Sequence, residues 1–494
     1  MNPTALHWIN GEWVDSQEHA DSVNPATGET IGRYADGGEN EAAAAISAAG
    51  AAFEETSWRD DRLLRARVLN EMAHVFAAHT EELVEALALE NGKLKPHARF
   101  EVEMVPPKLR FYAALARTDH GRAMEVRPGT FSMVLRQARG VAGIIVPWNS
   151  PVVLLIRSLA PALAAGTTTV VKMPGRTAQT NSLIYRLFSQ VTALPRGVIN
   201  AFTELHGNGA RHLVASPDVP CISYTGSTEV GRAISATGAQ HLKRFGLELG
   251  GKTPMIVFDD ADLDAVVPAL VTALTVFNGQ FCMTGSRLLV HEPIADAVRQ
   301  RLVPRLEQLR VGPASDPDSE LGPVIDKSSA ERIDNVVRTA IAAGAKPLVR
   351  GGPILDGPLA KGAFYRASLL EVDDNSLDII QEETFGPVLT LQTFGSEAEA
   401  VRLANDNQYG LAASIWSRDI DRPLRVARAL DAGTIWINDW AKVYDEFEEG
   451  GFKQSGLGRM NGLAAMEDFL EHKHITLTAG MIPTGPAVRD PRGR

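Results

Sequence analysis

Two spacings of apolar residues divide this chain. The first 60 residues carry short alternating runs separated by Asn10-Gly11 and Pro25-Ala-Thr-Gly28, which read as strands and turns. Apolar positions at helical spacing then predict helices over 42–53, 63–77 and 81–91, the last closed by Gly92. From Val141 the pattern changes to compact apolar runs alternating with amphipathic stretches. Strands are expected over 141–146, 169–172, 198–202, 221–224 and 244–249, with helices over 152–165, 178–191, 209–215 and 229–236. Such alternation predicts an open parallel sheet with helices on both faces. A second series follows, with strands over 255–258, 287–291, 387–394, 412–416 and 434–438. Its helices are expected over 262–277, 294–309, 328–343, 397–405 and 422–430. The two series meet near Gly250-Gly251, and the stretch 466–478 reads as a helix end followed by an exposed alternating strand.

Composition narrows the class without changing this picture. The 494 residues are 45% hydrophobic and 22% charged, which is ordinary for globular chains and leaves no need for a disulfide or metal to fold. Lys and Arg number 49 against 60 Asp and Glu, a net charge of −11 with no basic run, so a nucleic-acid partner is not expected. The two cysteines, Cys221 and Cys282, form no disulfide framework and fit a reducing cytoplasm. Residues 1–16 lack the pattern of a signal peptide. The most apolar stretch, 141–156, is broken by Pro147, Asn149, Ser150 and Pro151, short of the ~18 apolar residues of a membrane helix. A soluble cytoplasmic protein is expected.

Candidate chemistry gathers at the carboxyl ends of the first series of strands. Asn149 follows the first strand and Lys172 ends the second. Thr225-Gly226-Ser227-Thr228-Glu229-Val230-Gly231 follows the fourth, and Glu248 closes the fifth. Doubly wound sheets bind ligands at this edge. Gly246-Leu-Glu-Leu-Gly-Gly251-Lys252-Thr253 satisfies the phosphate-loop pattern. That pattern has physical content only where a helix begins after the lysine, and here Pro254 and an apolar strand follow. No glycine-rich dinucleotide turn is present either. Cys221 begins an apolar strand, as a small buried residue would. Cys282 instead lies in the polar loop Phe277-Asn-Gly-Gln-Phe-Cys282-Met-Thr-Gly-Ser-Arg287, where a nucleophile would need thiolate character and a partner.

Several motifs together resemble the aldehyde dehydrogenase family. They are Trp8-Ile-Asn-Gly-Glu-Trp13, Pro147-Trp-Asn149-Ser-Pro151, Glu248-Leu-Gly-Gly-Lys252, Gly279-Gln-Phe-Cys282, Glu382-Glu383-Thr-Phe385-Gly-Pro387 and Gly451-Phe-Lys-Gln-Ser-Gly456. The resemblance runs from about residue 7 to about 478, and Asn149, Glu248 and Cys282 stand 99 and 34 residues apart, as in the family. It implies two α/β units and a small β arm. An NAD(P)-binding unit over 1–122 and 141–250, a catalytic unit over 251–450, and an oligomerisation arm from 123–140 and 466–494 are expected, in a homodimer or homotetramer.

The resemblance also assigns roles for the oxidation of an aldehyde to the acid. Cys282 would attack the aldehyde carbon, Asn149 and the Cys282 N–H would hold the oxyanion, and Glu248 would activate the water that hydrolyses the thioester. The cofactor residues implied are Val146, Pro147, Trp148, Lys172, Gly175, Arg176, Thr225, Gly226, Ser227, Leu249, Glu383 and Phe385. The substrate pocket implied comprises Val153, Arg157, Phe281, Met283, Trp440 and Val443. No metal is implied.

Two departures from the family pattern matter. Where relatives carry a glutamate that repels a 2′-phosphate, this chain has Gly175 followed by Arg176, which implies that NADP is accepted. Where relatives carry Pro-Phe-Gly-Gly, it has Asp445-Glu-Phe-Glu-Glu449-Gly-Gly451, read either as a solvated loop or as an acidic rim favouring cationic aldehydes. Arg157 likewise has two readings, a grip for a substrate carboxylate or a structural ion pair. Neutral aromatic aldehydes fit a third family pattern. A catalytically silent relative of the same fold and a phosphate-loop nucleotide hydrolase are the alternative functions.

Overall fold

The five apolar runs between Val141 and Glu248 pair as parallel strands, because strands covered on both faces have no polar side to offer water. Their spatial order is Ile199–Glu204, Thr168–Pro174, Val141–Ile145, Cys221–Thr225, Arg244–Glu248. The first of the five along the chain, Val141–Ile145, is thus central among them, with its two successors on one side and the last two on the other. The topological switch lies between Val141–Ile145 and Cys221–Thr225, where the crevice for a ligand opens. His7–Ile9 and Glu12–Val14 extend one edge of this eight-stranded sheet, and Gly456–Leu457 returns from far along the chain to close the other. The computed structural model describes residues 4–479.

The helix Pro151–Ala165 explains how the core is organised. Every residue in it is buried, as expected of a helix apolar on all sides, and Arg157 is its one charge. The second sheet has seven strands in the order Lys346–Val349, Ser368–Glu371, Val388–Phe394, Gly285–His291, Thr253–Val257, Ala412–Trp416, Thr434–Ile437, parallel except at the first edge. The strand Thr253–Val257 directly after Lys252 removes the phosphate-loop reading, since no helix start faces that loop. A three-stranded antiparallel arm joins Leu470–Thr478, Thr130–Ala138 and Arg122–Arg127. The part of the expected arm beyond residue 479 lies outside the described residues.

Three elements differ from the sequence expectation. Helices Lys95–Glu103 and Val105–Thr118 form where no element was expected, with Pro96 near the start of one and Pro106 and Pro107 near the start of the other. These prolines occupy first turns, where a missing N–H costs nothing. The helix expected over 262–277 ends at Thr275, and Phe277 and Asn278 adopt φ of +49° and +59°. Among the described residues no helix is long and apolar enough to cross a membrane.

Candidate active site

Asn149 sits in the turn between Val141–Ile145 and the buried helix, at the switch point of the first sheet. Its backbone is held by a buried ion pair that the sequence did not announce. Lys93 bonds to Glu101 and donates to the Asn149 carbonyl at 2.7 Å. Glu101 Oε1 in turn accepts from the N–H groups of Val152 and Val153, at 2.9 and 3.3 Å, in the helix's first turn. The Asn149 amide nitrogen donates to the Gln280 carbonyl at 3.1 Å, which ties this turn to the loop carrying Cys282. An amide nitrogen has two hydrogens, so one remains for a ligand.

The Cys282 loop is built on the left-handed run Phe277, Asn278 and Gly279. Such backbone costs about 1–3 kcal/mol per non-glycine residue and persists only where surroundings enforce it. Asn278 does so: its side chain donates to the carbonyls of Gly92 and Pro323 at 2.9 and 2.8 Å and accepts from Gly322 N–H at 2.8 Å. The Lys93 ammonium stands 3.9 Å from the centre of the Phe277 ring, so one buried cation supports both Asn149 and this loop. Cys282 itself is part-exposed, whereas Cys221 is buried.

The turn after Glu248 meets the Cys282 loop across the boundary between the sheets. A Cβ on Gly251, three residues after Glu248, would lie 2.6 Å from the Cys282 carbonyl oxygen. A Cβ on Gly450 would lie 3.1 Å from Glu248 Oε1, an oxygen with no hydrogen-bond partner. Burial raises the Glu248 carboxyl to about 7; Arg157 and Arg459 pull it down while Glu449 pushes it up. Burial also raises the Cys282 thiol to about 12, with Arg157 opposing the shift and Glu248, Glu449 and Glu383 adding to it.

A cavity of about 380 Å³ ends at Cys282. Val153, Arg157, Phe281, Met283 and Val443 line it. Trp440 stands behind instead, edge-on to Phe281 and donating to the Met283 carbonyl at 3.1 Å. Phe100, Met104, Tyr444 and Phe277 add to its apolar wall, and Glu103, Asp445 and Glu446 add carboxylates. The acidic run is not one solvated loop. Asp445 bonds to buried Lys108, Glu448 accepts from Leu463 and Ala464 N–H, and Glu449 is buried. Arg157 is not a free grip for a carboxylate, because its Nη1 pairs with Glu449 Oε1 at 2.9 Å and its Nη2 donates to Thr225 Oγ1 at 3.0 Å.

The opposite approach runs along the carboxyl edge of the first sheet. Val146 N–H donates to the Lys172 carbonyl, Gly226 N–H to the Glu248 carbonyl, and Leu249 N–H to the Ser455 carbonyl. Pro147 lies between Val146 and Trp148, and Trp148 meets Phe385 edge-on at 5.5 Å. Ser227 caps the helix Thr228–Gly238, leaving its first amides directed at the crevice. Glu383 accepts from Gly251 N–H at 3.2 Å, and burial raises its carboxyl to about 7. Burial lowers the Lys172 ammonium, with Glu204 and Asp36 acting the other way. Gly175 leaves no room for a side chain, since a Cβ would fall 2.6 Å from Tyr34 Oη. Arg176 pairs with Asp326 at 2.9 Å, so it is not a free cation.

Sequence reasoning missed Lys93, Glu101, Asn278, Glu449 and Arg332, whose guanidinium holds the carbonyls of Thr384 and Phe385. Only Asn278 carried a legible signal, the turn-forming Asn-Gly pair.

The chain matches the model of the aldehyde dehydrogenase family over residues 13–475. It is 36% identical to a betaine aldehyde dehydrogenase of Bacillus subtilis (strain 168) over 472 residues, 95% of this chain and 96% of that one. It is 35% identical to a hydroxyisobutyraldehyde dehydrogenase of Mycolicibacterium austroafricanum over 485 residues, 98% and 95% of the two chains. A solved structure of betaine aldehyde dehydrogenase from Staphylococcus aureus in complex with NAD+ superposes with a TM-score of 0.94 at 34% identity, covering 99% of this chain and 97% of the other.

Proposed function

Because the chain belongs to the aldehyde dehydrogenase family, we propose that it oxidises an aldehyde to the carboxylic acid with NAD(P)+, through Cys282, Asn149 and Glu248. The observation that carries this reading is the cavity lined by Cys282, whose loop is bonded to Asn149 through the Gln280 carbonyl and packs against the turn that follows Glu248. NAD(P)+, when bound, supplies the hydride acceptor. The crevice fits such a ligand: a capped helix opens at Ser227, and a Cβ on Gly250 would fall 2.8 Å from the Glu383 carboxylate, so the backbone there is kept bare. Val146, Pro147, Trp148, Lys172, Gly226, Leu249 and Phe385 are the further residues proposed to hold it.

Cys282 sulfur bonds to the aldehyde carbon, and the oxygen gains charge. The free hydrogen of the Asn149 amide and the Cys282 N–H hold that oxygen. Pre-aimed donors of this kind contribute about 3–4 kcal/mol each. After oxidation the acyl group remains on Cys282 as a thioester. Glu248, with its unpartnered Oε1, takes a proton from water while the water oxygen attacks the acyl carbon and the C–S bond breaks. A carboxyl titrating at about 7 suits this work, being basic enough to accept a proton and largely ionised above neutrality.

The substrate proposed has an apolar body and a neutral or cationic head, since the wall is aromatic and aliphatic and the cavity's carboxylates include Glu103 and Glu446. NADP+ is accepted beside NAD+: Gly175 places no carboxylate against a 2′-phosphate, and the part-exposed Arg176–Asp326 pair can be exchanged at a cost of about 0–1 kcal/mol. The division proposed is a cofactor-binding unit over 1–122 and 141–250 and a catalytic unit over 251–450, with the arm proposed as the surface for a second copy in a homodimer or homotetramer. The arm exposes Met124, Val126, Phe131, Ile475 and Leu477. Reduced-cofactor absorbance across anionic, neutral aromatic and cationic aldehydes with both cofactors tests the reading. Absence of turnover on all three refutes the enzyme, fastest turnover of the anionic class refutes the substrate class, and a thousandfold preference for NAD+ refutes the cofactor proposal.

A further inference from the structure

The cavity beside Cys282 is largely apolar, yet an ion pair is built into its wall. Arg157 and Glu449 have side chains only 5% and 6% exposed, and both line the cavity with Cys282. Burying such a pair in an apolar wall costs free energy that hydrophobic residues of similar size would not, so its presence calls for a role. Its geometry is fixed from three directions. Arg157 projects from the buried helix that starts beside Asn149. Its Nη2 takes Thr225, whose backbone pairs in register with Glu248. Glu449 is pinned by reciprocal backbone hydrogen bonds with Met460, each 2.8 Å. The next residue, Gly450, lies against Glu248.

Two polar atoms in this network have no protein partner, Arg157 Nε and Glu248 Oε1. Buried groups of that kind are satisfied by water or ligand. The charges acting on Cys282 are Arg157, Glu248, Glu449 and Glu383; those acting on Glu248 are Arg157, Glu449 and Arg459. Arg157 is therefore the cation common to both groups. The other cavity cation, Lys108, is bound to Asp445 and Asn461.

We propose that Arg157 is a positioning residue for the reaction, a clamped cation that favours the anionic forms of Cys282 and Glu248, with Glu449 holding it in place and offsetting its charge. This rests on the roles given to Cys282 and Glu248 above. It assigns the guanidinium to the enzyme's own groups, leaving no vacant cation for a substrate carboxylate. The thiol proton is released to water through the cavity. Glu449 offsets the guanidinium's charge, so an aldehyde enters without facing a bare cation.

The test reads the two charges with opposite signs. Cys282 is alkylated with iodoacetamide across a pH series, in the absence of substrate, and modification is located by peptide mass so that Cys221 does not contribute. In Arg157→Gln the midpoint of the pH profile rises by a unit or more, so alkylation below the midpoint slows about tenfold. In Glu449→Gln the midpoint falls. Arg157→Lys restores most of the wild-type profile. The pH limb of steady-state turnover assigned to Glu248 moves up in Arg157→Gln and down in Glu449→Gln. A merely structural pair would loosen the site in both variants and move both midpoints the same way, or neither; either result overturns the proposal. Should Arg157→Gln not fold, Glu449→Gln alone decides, because an unchanged or raised midpoint refutes the assignment. Failure of the underlying reading is separately visible, since it would leave Cys282→Ala active.

Discussion

Two buried ion pairs flank the first turns of the helix Pro151–Ala165, and they differ in completeness. In the pair Lys93–Glu101 both side chains are fully enclosed. The ammonium serves Glu101, the Asn149 carbonyl and Ser150 Oγ, while Glu101 caps the helix. In the pair Arg157–Glu449 the guanidinium has one unpartnered nitrogen, and both residues border a cavity. A satisfied pair sealed from water is architecture, holding Asn149 in place. An incomplete pair beside Cys282 keeps hydrogen-bonding capacity at the cavity wall while its charge stays bound. The difference lies in unspent hydrogen-bonding capacity, not in residue type.

The sharpest way to break this contrast is on the open side. Cys282→Ala is expected to abolish aldehyde oxidation while leaving cofactor binding and thermal stability unchanged; residual turnover above background would remove the nucleophile assignment. On the sealed side, Lys93→Met leaves Glu101 charged and unpaired, an expected loss of about 3–5 kcal/mol. The double replacement Lys93→Met with Glu101→Leu should recover part of it, and a single variant that melts with the wild type would show the pair is not architectural. Asn149→Ala is expected to cost about 3–4 kcal/mol in the transition state, seen in kcat rather than KM.

Smaller effects test the tuning. With Glu248 titrating at about 7, it carries its proton below that pH and cannot accept one from water, so deacylation rises with pH through neutrality and levels above it. Glu248→Gln should remove that limb and leave a burst of reduced cofactor before slow turnover; an unchanged pH profile would exclude Glu248 as the base. Asp326→Asn frees the part-exposed Arg176 and should raise kcat/KM for NADP+ only a few-fold, in line with about 0–1 kcal/mol for such pairs. No change at all would mean that Arg176 does not reach the cofactor.

Much of the frame was legible because it is written in local pattern. Runs such as Val141-Ala-Gly-Ile-Ile145 declare buried parallel strands, and Asn149, Lys172, Ser227 and Glu248 fall at strand ends by counting alone. The helices Lys95–Glu103 and Val105–Thr118 went unassigned, and the prolines at 96, 106 and 107 stand in their first turns, since a helix start and a helix break share one residue type. The acidic run 445–449 misled for a different reason: solvation of a carboxylate depends on what packs over it, and Glu449 is covered while Glu446 is not.

The sequence by itself offered Cys282, Glu248 and Asn149 as candidates, through the motifs that resemble the family's, and determined the strands beside them, because short-range periodicity is a property of neighbouring positions. Tertiary structure alone decided which charges meet. Arg157 finds Glu449 across 292 residues, Lys93 finds Asn149 across 56, and Arg176 finds Asp326 from the other sheet. Such pairings follow from how two sheets and their returning loops close on one another, and no local spacing encodes that closure.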